Sequence, residues 1–372
     1  MTASRLHIFT AGPAVLPVPV LDGLAEDVRS FEGSGQSLLE LSHRSPAYCD
    51  VQNQAEGALR RLLGLGDDHL VLFVPGGASL QFSMLPMNLR PAGVSADYLD
   101  SGTWSKKAIQ AAERCGVTRV AASSSGQAYR ALPSRFDEDP TAAYLHYTSN
   151  NTIAGTQWPS APESRGPTLV CDASSDLLSR PIEVDRHVAI YAGAQKNCGA
   201  AGVTVVIVKR SAVESIAGET RAAMPPMLDY ALHAEKSSRY NTPPVFSVRS
   251  VGRVCAWIEE RGGLAAMAER NAAKAAQLYD LIESSESYEA IAAEGGRSLM
   301  NVCFRLTKRD LEARFLSESA EAGFVGLAGH RSVGGLRASL YNALPPSSVA
   351  ALCDFMESFA RRHDAASAGE AG

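Results

Sequence analysis

From about residue 55 to residue 210 the chain alternates short aliphatic runs with segments whose apolar positions recur at helical spacing. AEGALRRLLGLG (55–66) sets Leu59, Leu62 and Leu63 on one face and stops at glycine, which predicts a helix, and HLVLFV (69–74) follows as a strand. VSADYLDSG, AAYLHYTS, TLVCDAS, HVAIYAGA and GVTVVIVK continue the series. Aliphatic strands with helices between them predict an α/β fold with a mostly parallel sheet covered on both faces.

The pattern changes at Gly262-Gly263, where GGLAAMAERNAAKAAQLYDLIESS predicts a long helix with Leu264, Met267, Leu278, Leu281 and Ile282 on one apolar face. This marks the entry to a second unit. It holds a strand in SLMNVCFRL (298–306), a helix from about 308 to 322, a strand-like GLRASLYNA (335–343) and a final helix near 347–362. The small, polar DAASAGEAG that follows reads as a frayed tail.

Length and charge narrow the function class. At 372 residues the chain has room for about two domains, and a formal net charge of -5, with no long block of Lys and Arg, argues against a nucleic-acid or anionic-membrane surface. Neither partner is expected. The seven cysteines (Cys49, Cys115, Cys171, Cys198, Cys255, Cys303, Cys353) are odd in number and never spaced as C-x-x-C, which predicts neither a disulfide framework nor a metal site. The first residues lack a continuous apolar run, and VTVVIV (203–208) is far too short to span a bilayer, so the expected compartment is the cytoplasm. Asn150-Asn151-Thr152 fits a glycosylation pattern that has no meaning there.

In parallel α/β sheets ligands collect at the carboxyl ends of the strands, so the polar residues just after each apolar run carry the chemistry. HLVLFV runs into PGGASLQF, where Gly76 and Gly77 permit a tight turn and Ala78 and Ser79 open the next helix, an arrangement suited to an anion. A Gly-Gly turn alone is ordinary structure. SGTW ends another strand with Trp104, and TLVC ends at Asp172, followed by Ala173 and Ser174. Lys196 is the one cation in AIYAGAQKNCGAAGVTVVIV (189–208), with Gly193, Ala194, Gly199, Ala200 and Ala201 leaving space around it. A free lysine amine is neutral in only about one molecule in a few thousand near pH 7, so a nucleophilic lysine requires an apolar or electropositive site. A phosphate cradle, an aromatic lid, a strand-end carboxylate and a strand-end lysine are together the parts that a pyridoxal phosphate site needs.

At these residues the chain resembles the phosphoserine aminotransferase family, within the class-V aminotransferases of fold type I. The matching stretches are AGPAVLP (11–17), LSHRS (41–45), GGASLQF (76–82), SGTWSKKA (101–108), HYTSNNTIAGTQW (146–158), CDASSDLLSRPI (171–182), IYAGAQKNCGAAG (190–202), YNTPPVFS (240–247) and GHRSVGGLRASLYNA (329–343). The resemblance implies a mostly parallel seven-stranded sheet between helices in a large domain (16–262) and a smaller α+β C-terminal domain (263–364). An N-terminal segment (1–15) would join the small domain, and a flexible tail would occupy 365–372. It also implies pyridoxal 5'-phosphate as cofactor. Lys196 would be the Schiff-base lysine, Asp172 the partner of the pyridinium nitrogen, and Trp104 the stacking ring. Thr152 would bond the ring hydroxyl, Ser174 would lie at the cofactor, and Ala78, Ser79, Gln195, Asn241 and Thr242 would hold its phosphate. In this family the last pair comes from the other subunit, which implies a homodimer with shared sites.

The substrates implied are L-glutamate and 3-phosphooxypyruvate, both carrying a second anionic end. Arginine forks match carboxylate and phosphate oxygens, and Arg337 is expected on the α-carboxylate, with His43-Arg44 and His330-Arg331 receiving the distal anion. Those two pairs argue against a serine or alanine to glyoxylate enzyme, whose substrates lack a distal anion; a non-catalytic protein keeping fold and cofactor is the rival of another class. The cradle departs from some members in reading Ala78-Ser79, so phosphate contacts would lean on backbone N–H groups and the Ser79 hydroxyl. Cys198 is read as a small packing residue rather than a persulfide carrier.

Overall fold

The computed structural model describes residues 5–369, with side chains through residue 363. Seven strands, β1 (His69–Val74), β2 (Ala96–Asp100), β3 (Thr118–Ser123), β4 (Leu145–Thr148), β5 (Leu169–Asp172), β6 (His187–Gly193) and β7 (Thr204–Lys209), form one sheet. Their order is β1-β7-β6-β5-β4-β2-β3. Only β7 runs against its neighbours β1 and β6. The other strands are parallel, so Val74, Asp100, Ser123, Thr148, Asp172 and Gly193 end along one edge of the sheet.

Both faces are covered, as the aliphatic runs require. Val71 and Phe73 of β1 and Val205 and Ile207 of β7 face one core, which Leu59, Val248, Val251 and Ile258 also fill. Leu72, Val74, Val206 and Val208, displaced by one residue, face a second core closed by Phe82, Leu85, Ala108 and Ala112. The helices that supply these residues are α2 (Pro46–Leu63), α3 (Gly77–Leu89), α4 (Thr103–Glu113) and α5 (Val245–Glu259), preceded by α1 (Val18–Arg29). Helix α2 begins nine residues earlier than its leucine face indicates, because Ser45 caps it by accepting from the Tyr48 amide and Pro46 fits the first turn; Gly64, at φ 65°, ends it. Strand β3 is absent from the sequence expectation. It lies at the sheet edge, where Val120 is half exposed and the run TRVAAS lacks the continuous aliphatic pattern of a buried strand.

Beyond Gly262, at φ 90°, come α6 (Gly263–Ser284), α7 (Glu312–Glu321) and α8 (Pro346–Gly369). An antiparallel three-stranded sheet, β8 (Tyr288–Ala290), β9 (Asn301–Leu306) and β10 (Leu336–Ser339), packs with them around a separate core. His7–Ile8 pairs in parallel with Phe324–Val325, and Phe9 and Val15 lie in that same core. The backbone of α8 continues through Gly369, into the segment read as a tail; residues 1–4 and 370–372 of the terminal expectations lie outside the described residues. Among the described residues no helix is long and apolar enough to cross a membrane.

Candidate active site

The loops leaving β1, β2, β4, β5 and β6 converge on a cavity of about 670 Å³. Ala78, Ser79, Trp104, Thr152, Asp172, Ser174, Gln195, Lys196, His330 and Arg337 all line it. Local chain chemistry places each one. Gly76 (φ 94°) and Gly77 (φ 63°) turn the chain sharply into α3, which has no side-chain cap. The amides of Ala78 and Ser79 therefore open on the cavity without an intrahelical acceptor, at the positive end of the helix. Gly102 begins α4 at φ 149°, and a Cβ there would lie 2.3 Å from the Asn151 amide nitrogen. Only glycine lets Trp104 sit in that first turn against the 150–152 loop, where its Nε1 donates to Thr152 Oγ1 at 3.2 Å.

Lys196 follows the end of β6, with its Nζ 5.7 Å from the Trp104 ring centroid. Among the described residues no carboxylate lies within ion-pair distance of it. Burial pulls its pKa down to about 8, Arg337 pushes in the same direction, and the Asp172 charge opposes both. Asp172 is 4% exposed, and burial raises its carboxyl above the usual value against the pull of Ser174 and Lys196. Its Oδ1 accepts from the Ser174 amide at 3.0 Å and the Ser174 hydroxyl at 2.6 Å. Its Oδ2 has no protein donor among the described residues.

A buried polar seam fixes the lysine loop to the C-terminal unit. Asn197 donates to Ser175 O at 3.2 Å and accepts from the Asn342 amide at 3.0 Å. Asn342 in turn donates to Leu178 O and accepts from Asn271 of α6, both at 2.8 Å. Lys274, one turn along α6, is 2% exposed and gives its amine to the carbonyls of Leu340 (2.5 Å), Tyr341 (2.8 Å) and Leu344 (3.3 Å). From the other side Ala14 N donates to Gln195 O at 2.8 Å, so the N-terminal segment closes over the lysine.

Arg337, on β10, reaches across to donate from Nη1 to Thr152 O at 2.9 Å, while its Nε is buried without a partner. His330 Nδ1 and Ser332 Oγ are 2.7 Å apart, and burial, then Arg337, Arg331 and Lys107, lowers the His330 pKa. Arg331, Arg44, Asn241 and Thr242 are exposed and line no part of the cavity. His43 is also outside it, with Nδ1 at 3.1 Å from Thr242 Oγ1 and a buried, unpartnered Nε2. Cys198 is fully buried in the large core, and burial holds its thiol at about 12. Thr148, Asn150, Ser175 and the Ala11–Pro13 turn line the cavity although sequence reasoning gave them no role. For Thr148 the signal was its place at the end of LHYT, the strand beside Asp172.

The donor set fits pyridoxal phosphate. A buried carboxylate keeps one oxygen open, a lysine amine without an ion pair faces the same space, an indole flanks it, and uncapped helix amides border it. The profile of the class-V aminotransferases matches residues 6–352, and the chain belongs to that family of pyridoxal phosphate enzymes. It is 49% identical over 362 residues, 97% of this chain and 99% of the relative, to the phosphoserine aminotransferase of Desulfatibacillum aliphaticivorans. The phosphoserine aminotransferase structure from Bacillus circulans subsp. alkalophilus superposes with a TM-score of 0.93 at 44% identity, covering 97% of this chain and 100% of that one. The PLP-bound phosphoserine aminotransferase structure from Trichomonas vaginalis gives 0.88 at 35%, covering 95% and 100%. Within the class, the chain stands in the phosphoserine aminotransferase family.

Proposed function

We propose that the chain transfers the amino group of L-glutamate to 3-phosphooxypyruvate, giving 2-oxoglutarate and O-phospho-L-serine, and that it runs the reverse as well. The observation that carries this reading is an arginine, Arg337, with a buried unpaired Nε in the same cavity as the lone amine of Lys196. When bound, pyridoxal phosphate supplies the carbonyl that takes the amino group and a ring that accepts electrons.

The protein's residues do the rest. Arg337, held by Thr152 O, has its Nε and second Nη left to grip the substrate α-carboxylate. Lys196 Nζ, a free amine in the same cavity as the substrate, would take the proton from the substrate α-carbon and return it within the site. A pKa of about 8 leaves the amine partly neutral near pH 7, as a base must be. Asp172 Oδ2 would hold the proton on the ring nitrogen, with Ser174 fixing the other oxygen. Trp104 would stack on the ring, Thr152 Oγ1 would bond the ring hydroxyl, and the amides of Ala78 and Ser79, the Ser79 hydroxyl and Gln195 would hold the phosphate.

His330 faces the distal anion of the substrate from within this chain. Asn241, Thr242, His43 and Arg44 gather outside the cavity, the first two exposed and His43 with an unmet Nε2, and a second copy of the chain brings such a surface to each site. The active form is thus a homodimer in the cytoplasm, its two cavities each completed by the partner. Steady-state turnover tests the substrate assignment. Glutamate with 3-phosphooxypyruvate supports rapid exchange and alanine with glyoxylate does not; the reverse preference overturns it.

A further inference from the structure

The cavity floor contains a buried hydroxyl that no described residue uses. Thr148 ends β4, is 5% exposed, lines the cavity, and its Oγ1 has no hydrogen-bond partner among the described residues. A buried hydroxyl left unmet costs on the order of 1–3 kcal/mol, so its place at a ligand cavity calls for an occupant. Its neighbour is informative. Thr148 and Asp172 are register partners on adjacent parallel strands, so their side chains leave the same face of the sheet. Asp172 Oδ1 already has two donors from Ser174, whereas Oδ2 has none, and the two side chains are not bonded to each other directly. Both residues line the same cavity, where a water can bridge a hydroxyl and a carboxylate oxygen on neighbouring strands.

We propose that Thr148 is a positioning residue for Asp172: its hydroxyl donates, through one ordered water, to the Asp172 oxygen that faces the ring nitrogen of the bound cofactor. The inference rests on the cofactor reading above. Its physical content is charge placement. Burial favours the neutral acid at Asp172, and a second donor on Oδ2 offsets that tendency, keeping the carboxylate ionised and aimed at a protonated ring nitrogen. Removing the hydroxyl then weakens the interactions that pass through the ring nitrogen. The phosphate cradle is untouched, and any change at Lys196 through the Asp172 charge falls on both aldehydes alike.

The test compares two aldehydes on the full-length chain stripped of cofactor: pyridoxal 5'-phosphate, and the carbocyclic analogue with CH in place of the ring nitrogen. Binding is read by quenching of tryptophan fluorescence, independently of turnover. Thr148→Val, which keeps the shape, weakens pyridoxal phosphate on the order of 10-fold, the loss of one hydrogen bond to a charged group, and leaves the analogue within about 2-fold. Thr148→Ser restores wild-type affinity for both. Equal losses for the two aldehydes, or none for either, overturn the proposal. Should Thr148→Val fail to fold, Thr148→Ala enters the same comparison with the same outcomes expected. A wild-type chain that binds neither aldehyde refutes the cofactor reading itself, a result distinct from equal affinities that are merely insensitive to Thr148.

Discussion

Replacing Asp172 by asparagine removes the stronger of the two carboxylates, Asp172 and Asp176, that hold the Lys196 proton on. In the wild-type protein without cofactor, Lys196 titrates at about 8 rather than 10.5, since burial and Arg337 outweigh Asp172. At pH 7 that raises the neutral fraction of the amine from roughly one in three thousand to roughly one in ten, an enrichment of about 300-fold. Asp172→Asn withdraws the larger of the two opposing charges, so the midpoint moves down, below about 8, and the amine becomes more reactive near neutrality. The assay is the rate at which a small neutral aldehyde modifies Lys196, followed by mass spectrometry between pH 6 and pH 10. The rate should rise through a midpoint near 8 in the wild type and through a lower one in Asp172→Asn. A wild-type midpoint near that of a free lysine, or an upward shift in the variant, would refute the reasoning.

Other expectations follow from the same contacts. Arg337→Ala should raise KM for both substrates on the order of 10- to 100-fold, through lost charge-assisted bonds to the carboxylate, while the absorbance of the bound cofactor is unchanged. The Asp27 carboxylate of α1 bonds Arg253 Nε (2.7 Å) and Arg249 Nε (2.9 Å) of α5, so Asp27→Ala removes the acceptor that both guanidinium groups share, leaving Arg249 with Gln54 and Glu32, and should cost about 1–3 kcal/mol in urea unfolding. Burial raises the Asp27 pKa, but the two arginines prevail and hold it below the ordinary value. That contribution is complete above the unfolded carboxyl pKa and is lost as pH falls through the lower folded one, so the gap between wild type and Asp27→Asn should narrow in acid. Lys274→Met leaves the carbonyls of Leu340, Tyr341 and Leu344 without their donor and should lower the midpoint of thermal unfolding by several degrees, read by calorimetry.

How much of this was legible in the sequence follows from what each residue must do. Strands covered on both faces have to be aliphatic throughout, so β1, β6 and β7 stand out; β3, at the opposite edge from β1 and with Val120 half exposed, meets no such demand and merges with the surrounding loops. Lys196, Asp172 and Trp104 were visible because they fall together at or within four residues of strand ends, alongside the Gly76-Gly77 turn, although none of them alone is diagnostic. Thr148 was not, since a threonine closing a strand fits the β propensity of any strand. Nor does spacing along the chain reveal that Thr242 lies against His43, or that Asn342 secures the residue beside Lys196. The second contact arises from the way α6 and the 340–344 turn pack on the lysine loop, between residues 145 positions apart.

The central claim is that one cavity in this chain carries the amino group from a phosphorylated amino acid. It is tested most directly in a single half-reaction: the cofactor-loaded protein is mixed with O-phospho-L-serine alone, with no keto acid added, and the visible absorbance of the bound cofactor and the release of 3-phosphooxypyruvate are followed together. The account predicts that the band is lost and that one keto acid is released per site, with neither change in Lys196→Ala. An unchanged band with no keto acid from the wild type, or keto acid from Lys196→Ala at the wild-type rate, would contradict it.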